Sequence, residues 1–171
     1  SQAEHDELAQ PILISKSHLL IESVYNSMKK LLPRMSRKKI IMESIKNRGL
    51  FIKTNSDSET ANIVNTIAPE HLELMYHDKN FLKQIRNAGA IFLGENSPEV
   101  FGDYCAGPNH VLPTSGSARF SSPLGVYDFL KRSSVINISK KDANVLSKIS
   151  SVLADAEGLQ AHALSAKIRG K

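Results

Sequence analysis

The stretch Ala88-Gly89-Ala90-Ile91-Phe92-Leu93-Gly94-Glu95-Asn96-Ser97-Pro98 decides the fold class. Ala90 to Leu93 is a short apolar run set between glycines, which reads as a buried strand, and Gly94 to Pro98 reads as a loop leaving the sheet. Similar runs occur at Ile12-Leu13-Ile14, Leu50-Phe51-Ile52 and Val135-Ile136-Asn137-Ile138. Between the first pair, Leu19, Leu20, Val24, Met28, Leu31 and Leu32 recur at helical spacing before Pro33, and a second helical stretch runs from Ser36 to Asn47. Ser56, Asp57 and Ser58 are good caps for a third helix carrying Ala61, Val64 and Ile67. Strands alternating with helices predict an α/β sheet. From Ser139 the pattern changes. Val145, Leu146, Ile149, Val152 and Leu153 keep helical period, Gly158 interrupts it, and Leu159 to Ile168 resumes it. The expected organisation is an α/β domain over 1–138 and a small helical unit over 139–171.

The 171 residues, 41% of them hydrophobic, suffice for a buried core. Net charge is +5, from 22 Lys and Arg against 17 Asp and Glu. The densest basic stretch, Lys29, Lys30, Arg34, Arg37, Lys38 and Lys39, straddles Pro33 between two helical patterns and reads as a solvated turn. With no Trp and few aromatics to stack bases, a nucleic-acid partner is not expected. The single cysteine, Cys105, excludes an intrachain disulfide and points to the cytoplasm, with a small packed side chain as its expected role. No apolar run is long enough to span a bilayer, so no membrane partner is expected. The opening Ser1-Gln2-Ala3-Glu4-His5-Asp6 reads as the interior of a helix, which suggests a fragment or a processed chain.

Several groups of residues can carry chemistry. Gln2 and His5, at i and i+3, share one helix face and can hold one ion or ligand. Pro69-Glu70-His71 has Pro at a favoured first helical position, which predicts Glu70 and His71 in a helix's first turn as a general acid/base pair. The segment from Gly102 to Ser122, rich in Gly and Pro, is expected to be loop. Within it Asp103 offers a hard oxygen ligand and His110 a polar contact for substrate. Glu157 and His162 flank the break at Gly158. Each group has an ordinary reading as well: a solvated helix face, a surface Glu beside a core His, an Asp capping a turn, an incidental late His. Two imidazoles, a carboxylate and an amide oxygen suit zinc, although no compact spacing announces such a site.

Ser1-Gln2-Ala3-Glu4-His5-Asp6, Ala68-Pro69-Glu70-His71-Leu72-Glu73-Leu74, Ala88 to Gly94, Gly102-Asp103-Tyr104, Gly107-Pro108-Asn109-His110-Val111-Leu112-Pro113-Thr114 and Glu157-Gly158-Leu159-Gln160-Ala161-His162 together resemble the histidinol dehydrogenases, in order from end to end. The segment ending in Leu112-Pro113-Thr114 is the most specific. The resemblance implies an incomplete Rossmann-like sheet flanked by helices. It also implies the NAD-dependent, two-step oxidation of L-histidinol through an aldehyde to L-histidine, the last reactions of histidine biosynthesis. By the same resemblance Gln2, His5, Asp103 and His162 would be zinc ligands, which also places them at the substrate. His71 would be the general base and a substrate contact, and Glu70 would help activate water. Glu157 and His110 would touch the substrate.

The zinc is expected to hold the substrate's imidazole and amino groups, so that its role is orientation. An intertwined, domain-swapped homodimer is implied, with Glu157 and His162 reaching the site of the second subunit. Full members of the family are much longer, and the portion missing here supplies most of the NAD contacts, so the chain alone is expected to be inactive. The alternative is a non-catalytic zinc or imidazole-binding module that lost the cofactor domain. Retention of both Glu70 and His71 favours the enzyme, because a pure binding module needs no such pair.

Overall fold

The computed structural model describes residues 1–75 and 78–170. The chain divides into two compact units, Ser1–Asp128 and Phe129–Lys171. The first carries strands β1 (Ile12–Ser15), β2 (Leu50–Lys53), β3 (His71–Leu74) and β4 (Ala90–Leu93). Between β1 and β2 run helices α1 (His18–Leu31) and α2 (Lys38–Arg48); α3 (Asp57–Ile67) leads into β3 and α4 (Lys79–Leu82) into β4. β1 pairs with β2 in parallel, Ile12 opposite Leu50, and β3 pairs with β4 in parallel, His71 opposite Ala90. Parallel neighbours need crossover connections, and the intervening helices supply them. The α/β architecture expected from alternating runs is therefore present, as two two-stranded parallel sheets among the described residues.

The helix starts follow the capping chemistry of the sequence. Ser17 Oγ accepts the N–H of Leu20, and Ser56 Oγ that of Glu59, each satisfying a donor the first turn leaves free. Gln2–Glu4 is a single 3-10 turn capped by His5 rather than the inside of a longer helix.

Further expectations are corrected. The segment after Pro69 is not a helix: α3 ends on Ala68 in the left-handed region (φ 50°), whose N–H donates to Val64 O at 2.8 Å, and Pro69 follows the cap. Proline after a helix end is as natural as proline at a helix start. The period-two order of His71-Leu72-Glu73-Leu74 then decides the matter in favour of a strand. One face of β3 turns Leu72 and Leu74 into a core with Ala61, Phe81, Leu82 and Ile85, and the other presents His71 and Glu73.

Second, the segment expected to be loop from Gly102 begins inside a helix, α5 (Glu99–Tyr104). Gly102 is the reason this helix can lie against β4, because a Cβ there would stand 2.6 Å from Cε1 of Phe92. Third, Val135 to Ile138 is no strand: Val135 is 92% exposed and the run has no strand neighbour among the described residues. β-propensity expresses itself only where a pairing partner and a covering layer exist. Cys105 is likewise exposed rather than packed.

The second unit is a helical hairpin of α6 (Lys140–Ala156) and α7 (Gln160–Arg169). Ser139 Oγ accepts the N–H of Asp142 and donates to its carboxylate at 2.6 Å, closing the start of α6. Gly158, at φ 75°, makes the turn in a region other residues rarely adopt. The small residues Ser147, Ser151 and Ala163 are the buried ones, and Lys167 Nζ pairs with Asp155 at 2.9 Å. Among the described residues no helix is long and apolar enough to cross a membrane.

Candidate active site

The polar face of β3 organises the site. Glu73 Oε1 accepts the N–H of Glu99 at 2.8 Å and so pins the first turn of α5 beside the strand. Glu99 and Asp103, one helical turn apart on α5, then stand next to His71. From the amino-terminal turn come Gln2 and His5. His71 Nδ1 donates to Gln2 Oε1 at 3.2 Å, and His5 Nε2 lies 3.5 Å from Glu99 Oε1. The two imidazole rings are 6.4 Å apart, and Phe92 stands 6.0 Å from the ring of His71.

The arrangement has a specific electrical character. Because an amide oxygen can only accept, Nδ1 carries the proton of a neutral His71, and its free lone pair is on Nε2. That atom faces Asp103 Oδ1 at 3.7 Å and Glu99 Oε1 at 4.0 Å, which are acceptors too. Both His71 Nε2 and Glu99 Oε1 are buried with no hydrogen-bond partner, and both side chains are 8% exposed. Acceptors converging without donors call for a proton or a cation. Ligand atoms of His5, Glu99 and Asp103 lie within 4.8 Å of one another, close enough to share one metal ion.

Burial pushes the Glu99 carboxyl above the ordinary carboxylate range, its hydrogen bond with the side chain of Asp103 pushes it further, and the charge of His71 opposes both. In the metal-free chain Glu99 therefore keeps its proton in the folded state over a pH range where the unfolded state has lost it. Stability contributed by this group is full at acid pH and falls as pH rises from the ordinary carboxylate range through the raised folded value. Glu99→Gln removes this component. The variant's unfolding free energy in chelator, relative to the unmodified chain, is expected to grow between about pH 4 and about pH 7. Urea unfolding at the two values checks it, and a pH-independent difference would refute it.

Of the residues singled out from the sequence, Gln2, His5, His71 and Asp103 meet in the first unit. Gln2 turns its amide oxygen to His71 with one of its two acceptor positions. Glu70 lies half-buried just before β3, its carbonyl accepting the N–H of Ala90 at 2.8 Å. Gly89 permits this approach, since a Cβ there would meet Glu70 O at 2.6 Å. His110 is exposed on the loop after α5, where Asn109 Oδ1 accepts the N–H of Val111 at 2.7 Å. Glu157 caps α6 and His162 lies on α7, both exposed in the second unit. Sequence reasoning missed Glu99. Its signal was the i, i+4 spacing to Asp103 behind Pro98, which becomes visible once α5 is recognised as a helix.

This is an α/β unit that converges imidazoles and carboxylates between a strand and the following helix, an arrangement able to hold a cation. A family model for histidinol dehydrogenase matches residues 1–170, and the chain belongs to that family. It is 57% identical over 170 residues to the histidinol dehydrogenase of Dechloromonas aromatica, covering 99% of this chain and 39% of that protein. Similarity to the histidinol dehydrogenase of Pseudomonas aeruginosa is 55% over 170 residues, again 99% of this chain and 39% of the relative. The crystal structure of histidinol dehydrogenase from Elizabethkingia anophelis superimposes with a TM-score of 0.90 at 31% identity, over 98% of this chain and 39% of that one. The chain thus spans about two fifths of the length of these relatives.

Proposed function

We propose that this chain carries the zinc and substrate site of a histidinol dehydrogenase, the NAD-dependent enzyme that converts L-histidinol through histidinal to L-histidine. The observation that carries the reading is His71 Nε2, a buried lone-pair nitrogen without a partner, set beside two carboxylates in a chain matched by the family model over residues 1–170. Such a nitrogen is what a general base for an alcohol proton requires. His71 takes the proton from the substrate hydroxyl as the hydride leaves, with Nδ1 anchored on Gln2. Glu70, next to it in the chain, assists the attack of water on the aldehyde in the second step.

Gln2, His5, Asp103 and His162 would hold zinc, which would supply a fixed positive charge for orienting the substrate's imidazole and amino nitrogens. The hydride goes to NAD, whose contacts lie mainly outside this stretch. Glu157 and His110 contact the substrate. A homodimer in which Glu157 and His162 serve the partner's site completes the reading. Its support is the apolar row Val145, Ile149, Val152 and Leu153, left exposed on the helical unit. The domain reading is an α/β domain over 1–138 followed by a helical unit over 139–171. A reducing, cytoplasmic setting suits the lone Cys105.

Calorimetric titration of zinc into the metal-stripped chain, with and without L-histidinol, tests the site. Zinc binding is expected to tighten with histidinol and to weaken more than about tenfold in Asp103→Ala, the loss that even a change outside the ligand shell brings. The activity is tested on a full-length protein carrying this sequence, by reduction of NAD with L-histidinol. Absence of turnover in the zinc-loaded full-length protein would overturn the proposal.

A further inference from the structure

We infer that Ser44 is a positioning residue, whose hydroxyl holds the amino-terminal turn so that Gln2 and His5 stand beside His71. The inference rests on the histidinol dehydrogenase reading and adds to it a group on α2, away from the site itself. Ser44 Oγ donates to the Ala9 carbonyl at 2.9 Å across 35 residues of chain, and Ser44 is 0% exposed. A hydroxyl inside a helix ordinarily turns back on its own backbone. Thr60, Thr66, Ser147 and Ser151 do so, donating to carbonyls three or four residues earlier. The Ser44 hydroxyl instead leaves its helix for the segment that follows His5.

That segment needs an outside hold. Its own backbone bonds are local, from the Glu4 N–H to Ser1 O and from the Ala9 N–H to Asp6 O. Sheet pairing fixes the chain only from Pro11 onward, where the Pro11 carbonyl accepts the N–H of Leu50. Before that point α2 packs against the turn Gln2–Glu4. Ala3 is buried in the turn, and Ile41 is buried on the face of α2 that carries Ser44. Arg37 Nη2 reaches the His5 carbonyl at 3.5 Å from an exposed position, so the shorter, shielded bond of Ser44 is the stronger tie. Without it the Ala9 carbonyl loses its donor, and the turn can shift to find another. Such a shift carries along His5 and also Gln2, whose amide oxygen fixes the proton of His71 on Nδ1. Catalytic geometry tolerates little displacement, since about 1 Å can cost about 100-fold in rate.

The test compares Ser44→Ala with Thr54→Val in a full-length histidinol dehydrogenase carrying this sequence. Thr54 is 1% exposed and its hydroxyl shares a 2.7 Å hydrogen bond with that of Thr60, so Thr54→Val also removes a buried hydroxyl bond, but one that does not involve the turn. Metal-stripped protein is titrated with Co(II), whose visible absorption reports the geometry of its ligands, and zinc-loaded protein is assayed by reduction of NAD. Alanine is the better helix former, so α2 itself is expected to survive Ser44→Ala. That variant should bind Co(II) about tenfold more weakly, with an altered spectrum, and raise the KM for L-histidinol about tenfold while the KM for NAD holds. Thr54→Val should leave the cobalt spectrum, the affinity and both KM values unchanged. Far-UV circular dichroism keeps a folding defect apart from a positioning defect. If Ser44→Ala behaves as Thr54→Val does, the bond serves only the fold, and the inference is overturned while the enzyme reading stands. Where Ser44→Ala is unfolded, the decision passes to Ser44→Cys, which fills nearly the same space with a weaker donor. Unchanged Co(II) affinity and spectrum in that variant would overturn the inference as well. If the unmodified full-length protein neither binds Co(II) nor reduces NAD, the inference and the enzyme reading fall together.

Discussion

His71→Asn, in a full-length histidinol dehydrogenase carrying this sequence, is expected to lower kcat by about 10²- to 10⁴-fold, the usual contribution of a positioned general base. That is a barrier increase of roughly 3–5 kcal/mol. Asparagine is the informative replacement because its amide N–H can stand in for Nδ1 and keep the bond to Gln2 Oε1. What it removes is Nε2, the atom facing Asp103 and Glu99. Zinc content should therefore hold while turnover falls, with kcat and kcat/KM dropping together, as when an interaction of the transition state is lost. Steady-state reduction of NAD with L-histidinol, alongside metal analysis, measures both. A loss under about tenfold would remove His71 from the role of base.

Phe81→Ala carries the largest expected effect on stability. Phe81 is 3% exposed and forms the centre of a small cluster with Ala61 and Leu74, against which Leu72, Leu82 and Ile85 pack. Deleting a buried phenylalanine ring costs about 3–5 kcal/mol, from lost burial and from the cavity left behind. Against a total stability of about 5–15 kcal/mol for a typical domain, this consumes a large part of the margin. The damage should reach the site as well, since Leu72 and Leu74 are the inward face of the strand whose other face carries His71 and Glu73. Denaturant unfolding followed by circular dichroism provides the measurement. A change below about 1 kcal/mol would mean that this cluster is not what holds the strand in place.

The exposed apolar side chains bear on assembly. Ile136, Val145, Ile149, Val152 and Leu164 in the second unit, and Leu19 and Leu31 on α1 in the first, face solvent in a chain that spans about two fifths of its relatives' length. Helices read from the sequence as amphipathic do form, but their apolar stripes are not consumed within this stretch.

Local chemistry determined much by itself. Ser17, Ser56 and Ser139 close helix starts through their own hydroxyls, Gly158 turns the hairpin, and the runs at Ile12, Leu50 and Ala90 form strands. These outcomes depend on contacts within a few residues or on a periodicity that any buried face rewards. The order of motifs along the chain carried the family resemblance and, with it, the candidate residues Gln2, His5, His71 and Asp103. Tertiary structure decided the rest. Pro69 is compatible with a helix start or a helix exit, and pairing of His71 with Ala90 selects the strand. Gly102 resembles a loop residue until Phe92 is seen against it. Val135 to Ile138 has strand character and no strand to meet. Glu99, whose spacing to Asp103 means little until α5 is known to be a helix, becomes a central group because α5 turns it onto His5 and His71, 94 and 28 residues away in the chain. A residue's own preferences are local, whereas the partners that bury or charge it come from distant parts of the chain.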